Sequence, residues 1–248
     1  MKNNSISSSQ IQILLLVLAG ILLLGLGIWF GKGHNSPPMM VADEFPSATV
    51  LEVPVPLLQF SLNDHIGKLF TPDNFMRKWT FIFFGYTHCP DVCPTALVDM
   101  NNIYHDLAEK DELIEKMFGV GTQFVFITVD PERDTVSELR EYVPFFNKHF
   151  IGLTGDADMI DSIARPLGIA YRRVPGKDAE KDYLVDHSAS ILLIDPLGRM
   201  RAVFSPPHVP KTIAADFRNI RKKYTEECCI SGDEKTETVI FDYRKEKK

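Results

Sequence analysis

Apolar residues follow three different rhythms along this chain. Residues 13–30, ILLLVLAGILLLGLGIWF, carry no charged residue, and with Ile11 and Gln12 the run reaches 20 positions. At ~1.5 Å per residue such a helix is roughly 30 Å long, the thickness of a bilayer's hydrocarbon. Segments 79–86 (WTFIFFGY) and 123–130 (QFVFITVD) are short, nearly unbroken runs of β-formers. Runs of that kind suit strands buried on both faces of a sheet. Between them Leu97, Met100, Ile103, Tyr104 and Leu107 recur every three or four positions, which predicts a helix with one apolar face.

Further elements follow from local signals. Thr135 with Glu138 forms a capping box that opens a helix, which Pro144 kinks or ends. A third helix fits 157–167, starting near Asp156. The stretch SILLIDPLGRMRAVF predicts a hairpin turning at Asp195–Gly198, and 210–224 a last helix. Strand–helix–strand units followed by a hairpin and a helix describe an α/β, thioredoxin-like fold.

The flanks read differently. The apolar run ends in Trp29, Phe30, Gly31 and Lys32 without a small-residue cleavage site, so an uncleaved single transmembrane helix is expected over 11–31. Residues 1–10 are then a cytoplasmic tail. Residues 32–54, with four prolines, read as a tether. The globular domain is expected over 55–225 and a polar, poorly ordered tail over 226–248. The N-terminal tail lacks arginine, which does not suit a mitochondrial presequence. The expected location is a bacterial inner membrane, with the domain in the periplasm.

Charge narrows the function. A net charge of −6 argues against nucleic acid as a partner, because phosphate binding needs a basic surface. Four cysteines, in the pairs Cys89/Cys93 and Cys228/Cys229, are no disulfide scaffold. Cys89 and Cys93 lie where a central strand gives way to a helix, the place where ligands gather in open α/β sheets. Unpaired N–H groups of that helix favour thiolate. Three residues separate the pair, one more than in redox thioredoxins, so the spacing admits a disulfide or a shared metal ion. A metal needs a third donor. His88 adjoins the pair and is expected to point away, and His34, His65, His105 and His149 have no second donor near them in sequence. His187 precedes the hairpin that should return beside the first central strand, and Asp186 next to it is placed to influence ring orientation or local charge.

Four segments together, FFGYTHCPDVCPTAL, VFITVDPERDT, GLTG and DYLVDHSASILLIDPLGR, resemble the Sco/SenC family of membrane-tethered copper proteins over about residues 55–224. The resemblance implies a thioredoxin-like fold. It also implies one copper ion held by Cys89, Cys93 and His187, and a part in assembling the copper A centre of cytochrome c oxidase. Soft thiolates select Cu(I) and imidazole suits both copper states, although two Cys and one His also satisfy zinc. The implied function is a copper metallochaperone rather than an enzyme. Its partners would be the copper-bearing oxidase subunit, a periplasmic thiol reductant and the membrane.

The alternative is a thiol–disulfide reductase with Cys89 and Cys93 as its redox pair, and a third reading is a copper-dependent redox sensor or peroxide-handling protein. Asp130 and Arg133 in DPERD read first as structural and second as partner-docking residues. Asp91 reads equally as a charge tuner or a solvent-facing loop residue. Cys228 and Cys229 read as free tail thiols, and Met39 and Met40 as a greasy tether patch.

Overall fold

In the computed structural model the two unbroken β-forming runs become neighbouring strands in the middle of a mixed sheet. The structure describes residues 17, 18, 20, 22, 45–118, 121–176 and 183–231. The chain divides into two compact units, Met1–Asp43 and Glu44–Lys248, and the second holds the strands and helices of the sheet. In chain order its elements are β1 (Ala48–Pro56), β2 (Leu62–Asp64), β3 (Leu69–Phe70), a 3₁₀ turn (Pro72–Phe75), β4 (Lys78–Gly85), α1 (Val92–Phe118), β5 (Gly121–Thr128), α2 (Val136–Phe146), β6 (Ile151–Thr154), α3 (Ala157–Ala164), β7 (Tyr171–Pro175), β8 (Tyr183–His187), β9 (Ile191–Ile194), β10 (Arg199–Phe204) and α4 (Pro210–Ser231).

Eight strands form one sheet in the order β1-β10-β9-β4-β5-β6-β2-β3, and β7 and β8 form a separate hairpin. β4, β5 and β6 are parallel, while β9 returns antiparallel beside β4. Mixed α/β architecture with a parallel centre and an antiparallel C-terminal hairpin is thioredoxin-like in character. Both faces of β4 and β5 are buried, as their composition requires. On one face Phe81 stacks on Phe124 with ring centroids 4.9 Å apart and meets Phe217 of α4 edge-on at 5.1 Å. Tyr104 of α1 lies edge-on to Phe124, and Tyr142 of α2 lies near Phe126. On the other face Ile82, Phe84, Val125 and Ile127 are fully buried.

Several local expectations hold with adjusted bounds. Thr135 caps α2, its hydroxyl accepting from the Glu138 N–H at 3.3 Å, but its own N–H goes to the Arg133 carbonyl, so only half of the expected capping box forms. Pro144 sits inside the last turn of α2, which ends at Phe146. α3 stops at Ala164, and Asp156 makes no side-chain capping bond. The β9–β10 turn closes with Gly198 N–H donating to the Asp195 carbonyl at 2.9 Å. Gly198 takes φ +71°, where a side chain would be strained.

Other expectations need correction. The C-terminal part of the expected tether is strand β1, paired antiparallel to β10 across a register shift between Val50 and Val55. The prolines of 32–54, Pro54 among them, suggested a linker, but β1 is an edge strand, where a missing N–H costs no sheet bond. The last helix does not stop at 224. It runs to Ser231, and nothing in 225–231 breaks a helix before Gly232. The start of the expected polar tail is therefore helical, and 232–248 lie outside the described residues. The short β2–β3 and β7–β8 pairs had no counterpart in the sequence reading. Among the described residues no helix is long and apolar enough to cross a membrane. The 11–31 run lies outside them except for 17, 18, 20 and 22.

Phe217 meets both Phe81 and Trp79 and is a central contact between α4 and the sheet. Phe217→Ala is expected to remove about 3–5 kcal/mol of stability, seen as a lower urea midpoint at unchanged slope. A loss under about 1 kcal/mol, the size of an ordinary surface change, would show that α4 is not anchored there.

Candidate metal centre

The site begins where β4 runs out. A Cβ on Gly85 would lie 2.9 Å from the Cys93 sulfur and equally close to the rings of Phe83 and Phe126. Glycine is therefore what lets the thiol pack against the strand end. The chain then passes through Thr87, whose N–H and hydroxyl both donate to the Asp134 carboxylate, at 3.0 and 2.6 Å. Thr128 at the end of β5 donates to the same carboxylate at 2.6 Å. Asp134 is fully buried, and burial raises its carboxyl pKa while the donated hydrogen bonds oppose the rise. This carboxylate ties the cysteine loop to the neighbouring strand.

Cys93 lies in the first turn of α1, and its N–H donates to the Cys89 sulfur at 3.4 Å. Pro94 follows within the same turn, where its missing N–H costs little. The two sulfurs are free thiols. Their environments differ. The Cys89 pKa is lowered chiefly by a hydrogen bond from the Cys93 thiol, with smaller help from the N–H groups of Asp91 and Cys93, against a burial effect that raises it. The Cys93 pKa is raised by that same bond and by complete burial. The first proton of the pair therefore leaves Cys89, and Cys93 keeps its own.

His187 ends β8 and arrives from the other side. Its Nε2 lies 3.2 Å from the Cys93 sulfur. Its Nδ1 lies 3.0 Å from the Ser188 carbonyl, which can only accept. Nδ1 is thus the protonated nitrogen, and the Nε2 lone pair faces the sulfurs, the arrangement that metal-bound histidines adopt. Phe83 and Tyr86 wall the ring edge-on at 5.8 and 5.9 Å. The donor atoms of Cys89, Cys93 and His187 all lie within 4.8 Å of one another, and this set is the one such group among the described residues. Metal bonds of about 2.0–2.3 Å put neighbouring donors roughly 3.5–4 Å apart in a trigonal set, so small side-chain movements suffice. Two sulfurs and one imidazole suit a soft cation.

The remaining candidates fall elsewhere. His88 is exposed, bonded to the Thr87 hydroxyl at 2.9 Å and outside the donor group. Asp186 does not orient the imidazole: it is exposed and pairs with Arg172 at 3.0 Å. Asp91 is exposed, and its carbonyl accepts from the Thr95 N–H. Asp130 is fully buried, ion-paired to Arg133 and bonded to the Tyr183 hydroxyl at 2.7 Å, so DPERD has a structural task. His34, Met39 and Met40 lie outside the described residues. Sequence reading missed Gly85, Asp134 and Tyr183, although GY at the end of an apolar run and DY ahead of DH were both visible.

A family model described as SCO1/SenC matches residues 56–222. The chain belongs to the SCO1/SenC family. Among curated relatives, the mitochondrial SCO1 homolog 1 of Arabidopsis thaliana is 43% identical over 157 residues, covering 63% of this chain and 43% of that one. The chain spans about half the length of the curated relatives it matches. Among solved structures, Arabidopsis thaliana ScoI with copper bound is 36% identical with a TM-score of 0.61, covering 68% of this chain and 99% of that chain. Bradyrhizobium japonicum ScoI with copper bound is also 36% identical, with a TM-score of 0.57, covering 67% and 99%. The 56–222 match takes in all three donors of this SCO1/SenC chain.

The asymmetry between the sulfurs is measurable by alkylation. Cys89 is expected to react with iodoacetamide already at about pH 6, where an ordinary thiol with a pKa of about 8.5 is protonated. Cys93 is expected to react only after unfolding. Mass spectrometry of the labelled peptides reads both; a Cys89 rate that rises only above about pH 8 would refute the assignment.

Proposed function

We propose that the domain carries one copper ion on Cys89, Cys93 and His187 and passes it to the copper-bearing subunit of cytochrome c oxidase. One observation carries the reading: an imidazole with its Nδ1 proton engaged by Ser188 turns its free Nε2 toward the two sulfurs. Dithiol exchange has no use for that nitrogen. Support comes also from the copper-bound plant and bacterial ScoI structures that the chain is similar to. Thiolate donors favour Cu(I), and the imidazole permits Cu(II) as well.

Cargo carriage asks two things of this site. It must hold the ion, which the buried Cys93 and the walled imidazole do from inside. It must also release the ion, and Cys89, the less buried sulfur, is where an incoming thiolate exchanges first. The apolar 11–31 run supports a single-pass anchor, and the arginine-free N-terminal tail is why the domain is assigned to a bacterial periplasm rather than a mitochondrion. Anchoring would confine the search for an oxidase subunit to one surface and raise the effective concentration. In an oxidising compartment the two thiols close into a disulfide, so a thiol reductant must restore them.

A second reading draws on the unequal acidity of the sulfurs. In a thiol–disulfide reductase the Cys89 thiolate attacks a partner disulfide and one partner thiolate leaves. Cys93 then attacks the mixed disulfide, releasing the second partner thiolate. Two electrons pass to the partner, and Cys89 and Cys93 end as a disulfide.

Titration of the reduced chain with Cu(I) against a competing chelator separates the two. One equivalent is expected to bind, and His187→Ala is expected to weaken binding by more than about tenfold, the loss that even an outer-shell partner causes. If His187→Ala binds and supports oxidase assembly as the wild type does, while Cys89→Ser abolishes assembly, the reductase reading replaces the chaperone.

A further inference from the structure

The strand that delivers His187 is not part of the main sheet. β8 pairs only with β7. Along β8 the side chains alternate: Tyr183 and Val185 are buried, Leu184 and Asp186 are exposed. Tyr183, Val185 and His187 therefore share the inward face, with Tyr183 roughly 13 Å along the strand from the histidine. What fixes that face against the body of the domain decides where the imidazole sits.

Tyr183 is fastened from three directions. Its hydroxyl donates to Asp130 Oδ1 at 2.7 Å. Its carbonyl accepts from Arg133 Nη1 at 3.1 Å. The Arg133 guanidinium lies 3.7 Å from the centre of its ring. Asp130 and Arg133 belong to the segment leaving β5, and Asp130 is fully buried. From β7, Arg173 reaches the same segment, pairing with Glu132 at 2.7 Å and approaching Asp130 at 3.6 Å. Near the other end of β8, Ser188 N–H donates to the Ala170 carbonyl at 2.9 Å, which fastens β8 to β7 rather than to the sheet. The Asp130–Tyr183 bond is thus a direct side-chain tie between β8 and the end of a central strand.

We propose that Tyr183, held by Asp130 and Arg133, is a positioning residue that latches the β7–β8 hairpin and so sets whether the site offers three donors or two. With the latch closed, Nε2 of His187 meets the sulfurs. With it open, the hairpin carries the imidazole away and leaves the dithiol alone. Asp134 holds the cysteine loop independently, through Thr87 and Thr128, so opening the latch does not dismantle the sulfur pair. The proposal rests on the copper reading for its consequence and on the hairpin geometry for its mechanism.

Tyr183→Phe removes one oxygen and keeps the ring under Arg133. In the reduced, metal-free chain, amide exchange at 183–188 is expected to accelerate while β4 and β5 stay protected. The His187 imidazole ¹⁵N spectrum is expected to lose the single Nδ1–H tautomer that Ser188 enforces. Cu(I) affinity is expected to fall about tenfold, the scale of an outer-shell loss. Combined with His187→Ala it should fall no further than with His187→Ala alone, because both changes remove the same donor. Additive losses, unchanged exchange at 183–188, or lost protection throughout β4 and β5 would each overturn the latch. If the wild-type chain takes up no Cu(I), the copper reading falls, and the metal-free exchange and tautomer still decide the latch.

Discussion

A thiol and an imidazole 94 positions apart meet at 3.2 Å, and the rest of the site is organised around that approach. Neither partner reaches the other through its own element. Cys93 is placed by the end of β4 and the first turn of α1, and His187 by a hairpin outside the main sheet. Both are brought to one place because β4 and β5 are buried on both faces and form a rigid middle. Strands so enclosed fix the positions of the loops that leave their carboxyl ends.

Two buried carboxylates translate that rigidity into the site. A buried charge is costly unless it is paired or hydrogen-bonded, so each marks a place where the fold is over-determined. Asp134 gathers Thr87, ahead of the cysteines, and Thr128, at the end of β5. Asp130 gathers Arg133 and Tyr183, and with them the histidine strand. The two residues lie four positions apart in one short segment following β5. One connection thus fastens the sulfur side and the nitrogen side separately. The two halves of the donor set are therefore held by separate side-chain networks.

Legibility differed by the kind of signal. β4 and β5 were visible because both faces are buried and most of their residues are bulky and apolar. α1 and α2 were visible through their periodicity and the Thr135 cap. β1 was not, because an edge strand tolerates Pro54 and Pro56 and buries only part of its side chains. The β7–β8 hairpin was missed for a related reason: YRRVP and YLVDH alternate weakly in sequence.

From the sequence alone came the strand–helix order, the placement of Cys89 and Cys93 at a strand–helix junction, and the choice of His187 as their companion. These depend on local periodicity, on residue type and on resemblance across four segments. Tertiary structure decided which sulfur loses its proton first, because that depends on the burial of Cys93 and on who donates to Cys89. It also decided that the Ser188 carbonyl, not Asp186, orients the imidazole. Such contacts arise from packing between segments distant in the chain, and no pattern of neighbours along the sequence encodes a distance or a hydrogen-bond direction.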